Sequence, residues 1–225
     1  MDLKLTDLAN VLQVSKKTIY RWIKDSKIPF YRINHQYRFK TDEINEWAIQ
    51  NKSILPNMDE NIIADETTDI YKCVKKGGIY YNITGDNIYD AISDSLAVVN
   101  IPPNIERDNL CSLILKRERE KTTAVKEGIV FLHSGTPVIK YPIFESISIC
   151  FMHKPVQYDN CTDLEVHTLF IILAASRARH LRLLAKLAVI SSNNSFIDLL
   201  KRQPLRKELL DYFYNIKTKP YSKQT

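Results

Sequence analysis

Several common signatures are missing from this 225-residue chain, and each absence removes a class of function. No apolar run approaches the ~18 residues of a membrane-spanning helix, so a location off the membrane is expected. Cys73, Cys111, Cys150 and Cys161 form no C-x-x-C pair and sit in or beside apolar runs. That pattern speaks against a zinc or disulfide framework and for reduced thiols. No glycine-rich loop precedes a Lys-Ser or Lys-Thr pair, so direct use of ATP is not expected. The five histidines include no H-x-x-x-H pair, and neither a metal nor a cofactor is expected. The amino end passes from Met1 directly into amphipathic pattern, which suggests a cytoplasmic protein.

What is present suffices for two domains, since 44% of residues are hydrophobic. The net charge of +6 matters for a polyanionic partner only where the cations cluster. Leu5, Leu8, Ala9 and Leu12 fall at i, i+3, i+4 and i+7, the stripe of a short helix with Thr6 as its expected N-cap. Ser15 is placed to cap a second helix, with Ile19, Trp22 and Ile23 inside. Its outer face carries Lys16, Lys17, Thr18, Tyr20, Arg21 and Lys24, and Pro29 is expected to end it. Tyr31, Ile33, Tyr37 and Phe39 then alternate with Arg32 and Arg38 around a tip at Asn34-His35-Gln36. Thr41 would cap a third helix, with Asp42 and Glu43 in its first turn and Ile44, Trp47 and Ala48 on the core. The expected product is a small winged helix-turn-helix over residues 1–52, with charge +4 from ten Lys or Arg against six Asp or Glu.

Residues 53–68 carry Asp59, Glu60, Asp65 and Glu66 with no basic residue and no periodicity, as a linker would. As a flexible coil it would span about 20 to 24 Å. Over residues 69–225 helical and strand patterns alternate. Residues 79–83 read as a strand, and Ile88, Ile92 and Leu96 as a helix ending near Asn100. Residues 105–119 read as another helix. Short apolar runs at 129–132, 147–152 and 166–173 read as buried strands. Leu181, Leu184, Ala185 and Ala188 share one expected helical face, and Leu205, Leu209, Leu210 and Phe213 another. The order indicates an α/β sandwich.

Two resemblances attach to these patterns. Residues 5–47, above all Leu-Gln-Val-Ser-Lys-Lys-Thr-Ile-Tyr-Arg-Trp-Ile and Ile-Pro-Phe-Tyr-Arg-Ile-Asn-His-Gln-Tyr-Arg-Phe, resemble the excisionase and MerR-type DNA-binding domains. The resemblance implies that the helix from Ser15 enters the major groove of double-stranded DNA, with Arg32 and Arg38 on a wing. A homodimer on two half-sites is then expected.

Farther along stand Arg117-Glu118, then Gly128-Ile-Val-Phe-Leu-His133, then His180 opening an apolar helix. This order, with intervals of 16 and 47 residues, resembles the type-2 enzyme IIA domains of the bacterial phosphotransferase system, of fructose, mannitol and nitrogen-regulatory kind. The resemblance implies that His133 accepts a phosphoryl group from a phosphocarrier protein, that Arg117 holds its oxygens and that His180 assists. A neutral imidazole is a usable nucleophile near neutral pH. The family usually has proline before the active histidine and Thr-Gly-x-Gly ahead of it, where this chain has Leu132 and Thr123-Ala124-Val125-Lys126. Three functions fit: a transcription regulator controlled by phosphorylation; a phosphocarrier acting on a protein partner, with the helix-turn-helix as a docking module; or a DNA-binding protein on a degenerate IIA scaffold. His153 and His167 match no expected catalytic position and are left to packing.

Overall fold

The computed structural model describes residues 3–12, 14–40, 43, 44, 47, 69–120, 123–125, 127–158 and 161–218. The expected linker, Thr41, Asp42 and Ala48 therefore lie outside the described residues, while Glu43, Ile44 and Trp47 are helical.

The amino-terminal unit comprises β1 (Leu3–Lys4), α1 (Leu5–Val11), α2 (Lys16–Lys24), β2 (Tyr31–Ile33) and β3 (Gln36–Phe39). Helix α1 starts two residues earlier than its sequence suggested. Lys4 is the N-cap, Asp7 accepts from the Lys4 backbone N–H at 3.0 Å, and Thr6 lies inside the helix. Ser15 caps α2 as expected, its Oγ accepting from Thr18 N–H at 3.1 Å. Helix α2 ends at Lys24, well before Pro29, because Ser26 takes a positive φ and the Lys27 N–H turns back to the Trp22 carbonyl. The wing closes through Asn34 and His35, both at positive φ, in a two-residue hairpin turn that pairs Ile33 with Gln36. Strand β1, too short to be legible in sequence, pairs antiparallel with β3, giving the order β1-β3-β2. Leu8, Leu12, Ile19, Phe39 and Ile44 are fully buried in this unit's core.

The second unit is built on the five-stranded order β4-β7-β8-β6-β5, comprising β4 (Ile79–Ile83), β5 (Ala124–Val125), β6 (Ile129–Leu132), β7 (Ser146–Tyr158) and β8 (Cys161–Leu173). The sheet is mixed: β4 runs parallel to β7 and β6 parallel to β8, whereas β7 and β8 are antiparallel. Helices cover both faces. One side carries α3 (Ile70–Gly77), α6 (Arg177–Ile190), α7 (Asn194–Lys201) and α8 (Arg206–Thr218), and the other α4 (Ile88–Val98) and α5 (Arg107–Glu120). Strand β6 is apolar without a break because neither of its faces meets water. Ile129, Phe131, Ile147, Ile149, Phe170 and Ile172 enter one core, and Val130, Leu132, Cys150, Leu169 and Ile171 the other. At the end of α3 a Cβ on Gly77 would stand 2.3 Å from the Ile147 carbonyl oxygen, so only glycine lets this helix meet β7 so closely.

Two sequence expectations shift. Leu205 stands just before α8 and is 78% exposed, while Leu209 and Phe213 within the helix are buried. The face assigned to Leu181, Leu184, Ala185 and Ala188 is divided: Leu184 packs on the sheet, and Leu181 and Ala185 join the core of the amino-terminal unit.

Candidate functional site

Strands β6 and β8 run side by side, with Leu132 paired to Ile171, so their carboxyl ends open at the same place. His133 follows β6 directly. After β8 the chain turns through residues 174–176 into α6, whose N-cap Ser176 accepts from Arg179 N–H at 3.2 Å. His180, in the first turns of α6, is thereby set against His133. The ring centroids are 4.4 Å apart, although 47 residues separate the two in sequence. A crevice outside the carboxyl ends of parallel strands is a common place for ligands in α/β folds. Here a narrow cleft, with a volume of about 10 Å³ that admits little more than one water, is lined by His133, Ser134, Gly135, Thr136, Arg177 and His180 among others.

The imidazole of His133 is oriented by a local turn. Gly135 sits at φ +73°, in the left-handed region, and its N–H donates to His133 Nδ1 at 3.0 Å. With Nδ1 accepting, the neutral ring keeps its proton on Nε2. Nε2 of His133 and Nε2 of His180 are both buried, and neither finds a hydrogen-bond partner among the described residues. Burial lowers the pKa of His133 well below the usual imidazole value, with His180 and Arg117 adding to the effect. Burial, then the Arg117 guanidinium, pushes His180 down to about 4. Two neutral imidazoles with unpartnered nitrogens thus face each other near pH 7.

Arg117, at the carboxyl end of α5, is buried at 8% exposure and does not belong to a solvated charged face. Its side chain lies against Gly135, where a Cβ would meet Arg117 Cδ at 3.4 Å. The adjacent Glu118 takes a separate part. Its buried carboxylate accepts from Thr123 N–H at 2.9 Å and from the Thr123 and Tyr158 hydroxyls, tying the end of α5 to β7. The Arg-Glu pair therefore divides into one residue packed beside the cleft, against Gly135, and one for the frame. All three residues singled out in this domain, Arg117, His133 and His180, are brought together.

Sequence reasoning missed Arg177, which lines the cleft, and the Glu145–Arg179 pair that holds the amino end of α6. Glu145, 2% exposed, accepts from Arg179 Nε and Nη2 at 2.6 Å each and from Ala175 N–H at 3.0 Å. The cluster Arg177, Arg179 and Arg182 was visible in sequence, but its carboxylate partner, 34 residues away, was not. His167 bonds the Glu127 carbonyl at 2.7 Å and the Thr168 hydroxyl at 2.8 Å, and His153 is exposed outside the cleft. Among the described residues no group of three or more His, Cys, Asp or Glu could hold a metal ion.

In the amino-terminal unit, Lys16, Lys17, Tyr20, Arg21 and Lys24 are exposed on α2 and Thr18 is half-buried, its hydroxyl 2.9 Å from that of Ser15. The wing arginines are braced: Arg32 donates to the Tyr37 hydroxyl at 2.6 Å, and Arg38 to Gln36 Oε1 at 2.8 Å. Tyr37 meets Tyr20 edge-on at 5.9 Å, fixing the wing against α2. The register pairs Arg32 with Tyr37 and Arg38 with Tyr31, so the two arginines lie on opposite faces of the wing and not on one side as the alternation suggested. Among the described residues no single helix is long and apolar enough to cross a membrane.

Residues 3–52 match the family model described as a helix-turn-helix domain, and residues 72–216 that described as phosphoenolpyruvate-dependent sugar phosphotransferase system, EIIA 2. Among solved structures, the nitrogen regulatory protein IIA-Ntr from Neisseria meningitidis is similar at 16% identity and a TM-score of 0.51, over 60% of this chain and 92% of that one. Enzyme IIAMTL, solved in complex with phosphorylated enzyme IIBMTL from Escherichia coli, is similar at 16% identity and a TM-score of 0.47, over 61% of this chain and 94% of that one. Comparison with curated proteins finds no match.

Proposed function

Because the chain belongs to the phosphoenolpyruvate-dependent sugar phosphotransferase system EIIA 2 family, we propose that His133 accepts a phosphoryl group from a phosphocarrier protein and that its phosphorylation controls DNA binding by the helix-turn-helix. The observation that carries the reading is the pair of buried, neutral imidazoles in one cleft, each with an Nε2 that finds no partner among the described residues. Gly135 occupies Nδ1, which leaves Nε2 of His133 as the reacting atom.

In the transfer, the N–P bond of the donor's phosphohistidine breaks as Nε2 of His133 bonds phosphorus. The Nε2 proton leaves His133, and the donor's imidazole regains a proton. His180, whose ring centroid lies 4.4 Å from that of His133, is placed to relay that proton, one ring nitrogen taking it as the other gives one up. Arg117 supplies fixed donors for the phosphoryl oxygens. The first turn of α6 adds a partial positive charge of roughly +0.5 at its amino end, and Arg177 a full one. In this proposal Lys16, Lys17, Thr18, Tyr20, Arg21 and Lys24 address DNA bases and phosphates, and Arg32 and Arg38 the flanking backbone, with two copies on paired half-sites.

The near-complete burial of His133, at 2% exposure, favours a second reading in which the domain is a scaffold that takes no phosphoryl group. One experiment separates the two. Phosphoenolpyruvate, enzyme I and the phosphocarrier are supplied to the native chain and to His133→Ala, and acid-labile phosphohistidine is measured. Label on the native chain and none on the variant supports the relay; a native chain left unlabelled by its cognate donors supports the scaffold.

A further inference from the structure

Helix α6 has two buried faces that serve different units. His180, Leu183, Leu184, Leu187 and Ile190 recur at helical spacing; His180 borders the cleft and the leucines and isoleucine pack on the sheet. A second stripe lies roughly 130° around the helix, at about 100° per residue. It consists of Leu181 and Ala185, 1% and 2% exposed, with Ala178 at its margin, and it belongs to the core formed by Leu8, Leu12, Ile19 and Trp22. Helix α1 lies directly against α6. The DNA-reading unit thus completes its core with side chains from the helix that carries His180.

We propose that α6 is the coupling element: the charge in the His133–His180 cleft sets the position of α6, and α6 sets the seating of the helix-turn-helix. The inference rests on the phosphoryl reading of the cleft and names how that site would regulate. Direct field effects are short-ranged, since surface charges are screened over about 8 Å at physiological salt. A packed helix transmits differently. Its contacts are close-packed on both faces, so a displacement at one end is carried along the rod and not absorbed locally.

The amino end of α6 is where such a displacement would arise. Glu145 already places one buried carboxylate there, holding Arg179 and the Ala175 N–H. A phosphoryl group on His133 adds about −1.5 to −2 charges to the neighbouring cleft. It faces the same helix end, draws on Arg177 and offers an acceptor to His180. The occupied and empty clefts therefore favour different balances between Glu145 and the phosphoryl group for the cations of α6. That differential interaction is what a shift in population requires.

The test is hydrogen exchange of the full chain, read in Leu5–Val11 and Lys16–Lys24, for the unmodified protein, the phosphorylated protein and His133→Asp, which puts a carboxylate in the cleft without a donor. Exchange in both helices is expected to change by at least about fivefold, the lower end of ordinary allosteric coupling. Leu181→Ala, which trims the shared stripe and leaves the cleft residues in place, is expected to label as the native chain does and to lose most of that change. Should its amino-terminal unit fail to fold, Ala185→Ser repeats the test with a smaller perturbation. Helices that exchange alike whether or not the cleft is charged overturn the coupling, as does a response undiminished in both stripe variants. A chain that takes no phosphate but whose helices answer to His133→Asp defeats the phosphorelay and upholds the coupling.

Discussion

Burial of His180 has a measurable cost in acid. Its pKa lies at about 4 in the folded chain, against an ordinary 6.5, because burial first and Arg117 second oppose the charged form. Between those values the unfolded chain binds the proton and the folded chain does not. Stability is therefore full above about pH 6.5 and declines as pH falls toward 4. A displacement of 2.5 units, 6.5 minus 4, corresponds to about 3 kcal/mol in total, at about 1.4 kcal/mol per pH unit. His133 shifts in the same direction, so the native chain alone would not isolate one ring. The comparison is with His180→Gln, which cannot titrate there. Urea unfolding of both proteins between about pH 7 and 5 should show the native advantage shrinking by roughly 1 to 2 kcal/mol. An advantage that stays level over this interval refutes the claim that the folded domain holds His180 neutral.

Other consequences follow from the same geometry. Since burial lowers both cleft histidines, the initial rate of His133 labelling is expected to stay level as pH falls through the ordinary histidine range; a midpoint near 6.5 would count against it. Arg117→Gln is expected to slow labelling by about 100-fold, the typical loss when one preorganised donor is removed, while Glu118 still ties α5 to β7. Labelling at the native rate would remove Arg117 from the proposed site. Glu145→Gln breaks a buried, doubly bonded ion pair and should destabilise the domain by about 3 kcal/mol in urea titration, and a change below about 1 kcal/mol would show that the pair is replaceable.

The sequence was most legible where a pattern is local or where a residue type has few uses. Ser15 ahead of α2, the Asn34-His35 turn and the unbroken apolar run of β6 could each be read from neighbouring residues alone. The cleft was legible for a different reason: Arg117, His133 and His180 were chosen by spacing within a recognised order, and the fold brings them together. Strand β7 was read short, because exposed His153, Lys154 and Pro155 interrupt the run before burial resumes at Val156 and Tyr158. Helix α6 was misread because its residues are buried nearly all round, which erases the single stripe that periodicity detects. Glu145 gave no signal, since its partner Arg179 comes from a remote helix.

The sharing of α6 between two cores also bears on the order in which this protein is made. Chains emerge from the ribosome amino end first, and domains generally fold as units in that sequence. This chain departs from that simple order. The helix-turn-helix unit is translated before the second domain, yet Leu181 and Ala185, which close its core, arrive only after all the described strands of the second sheet have been translated. Its final packing thus waits on the domain that carries His133. Translation through Ala185 becomes a condition for the fully packed helix-turn-helix.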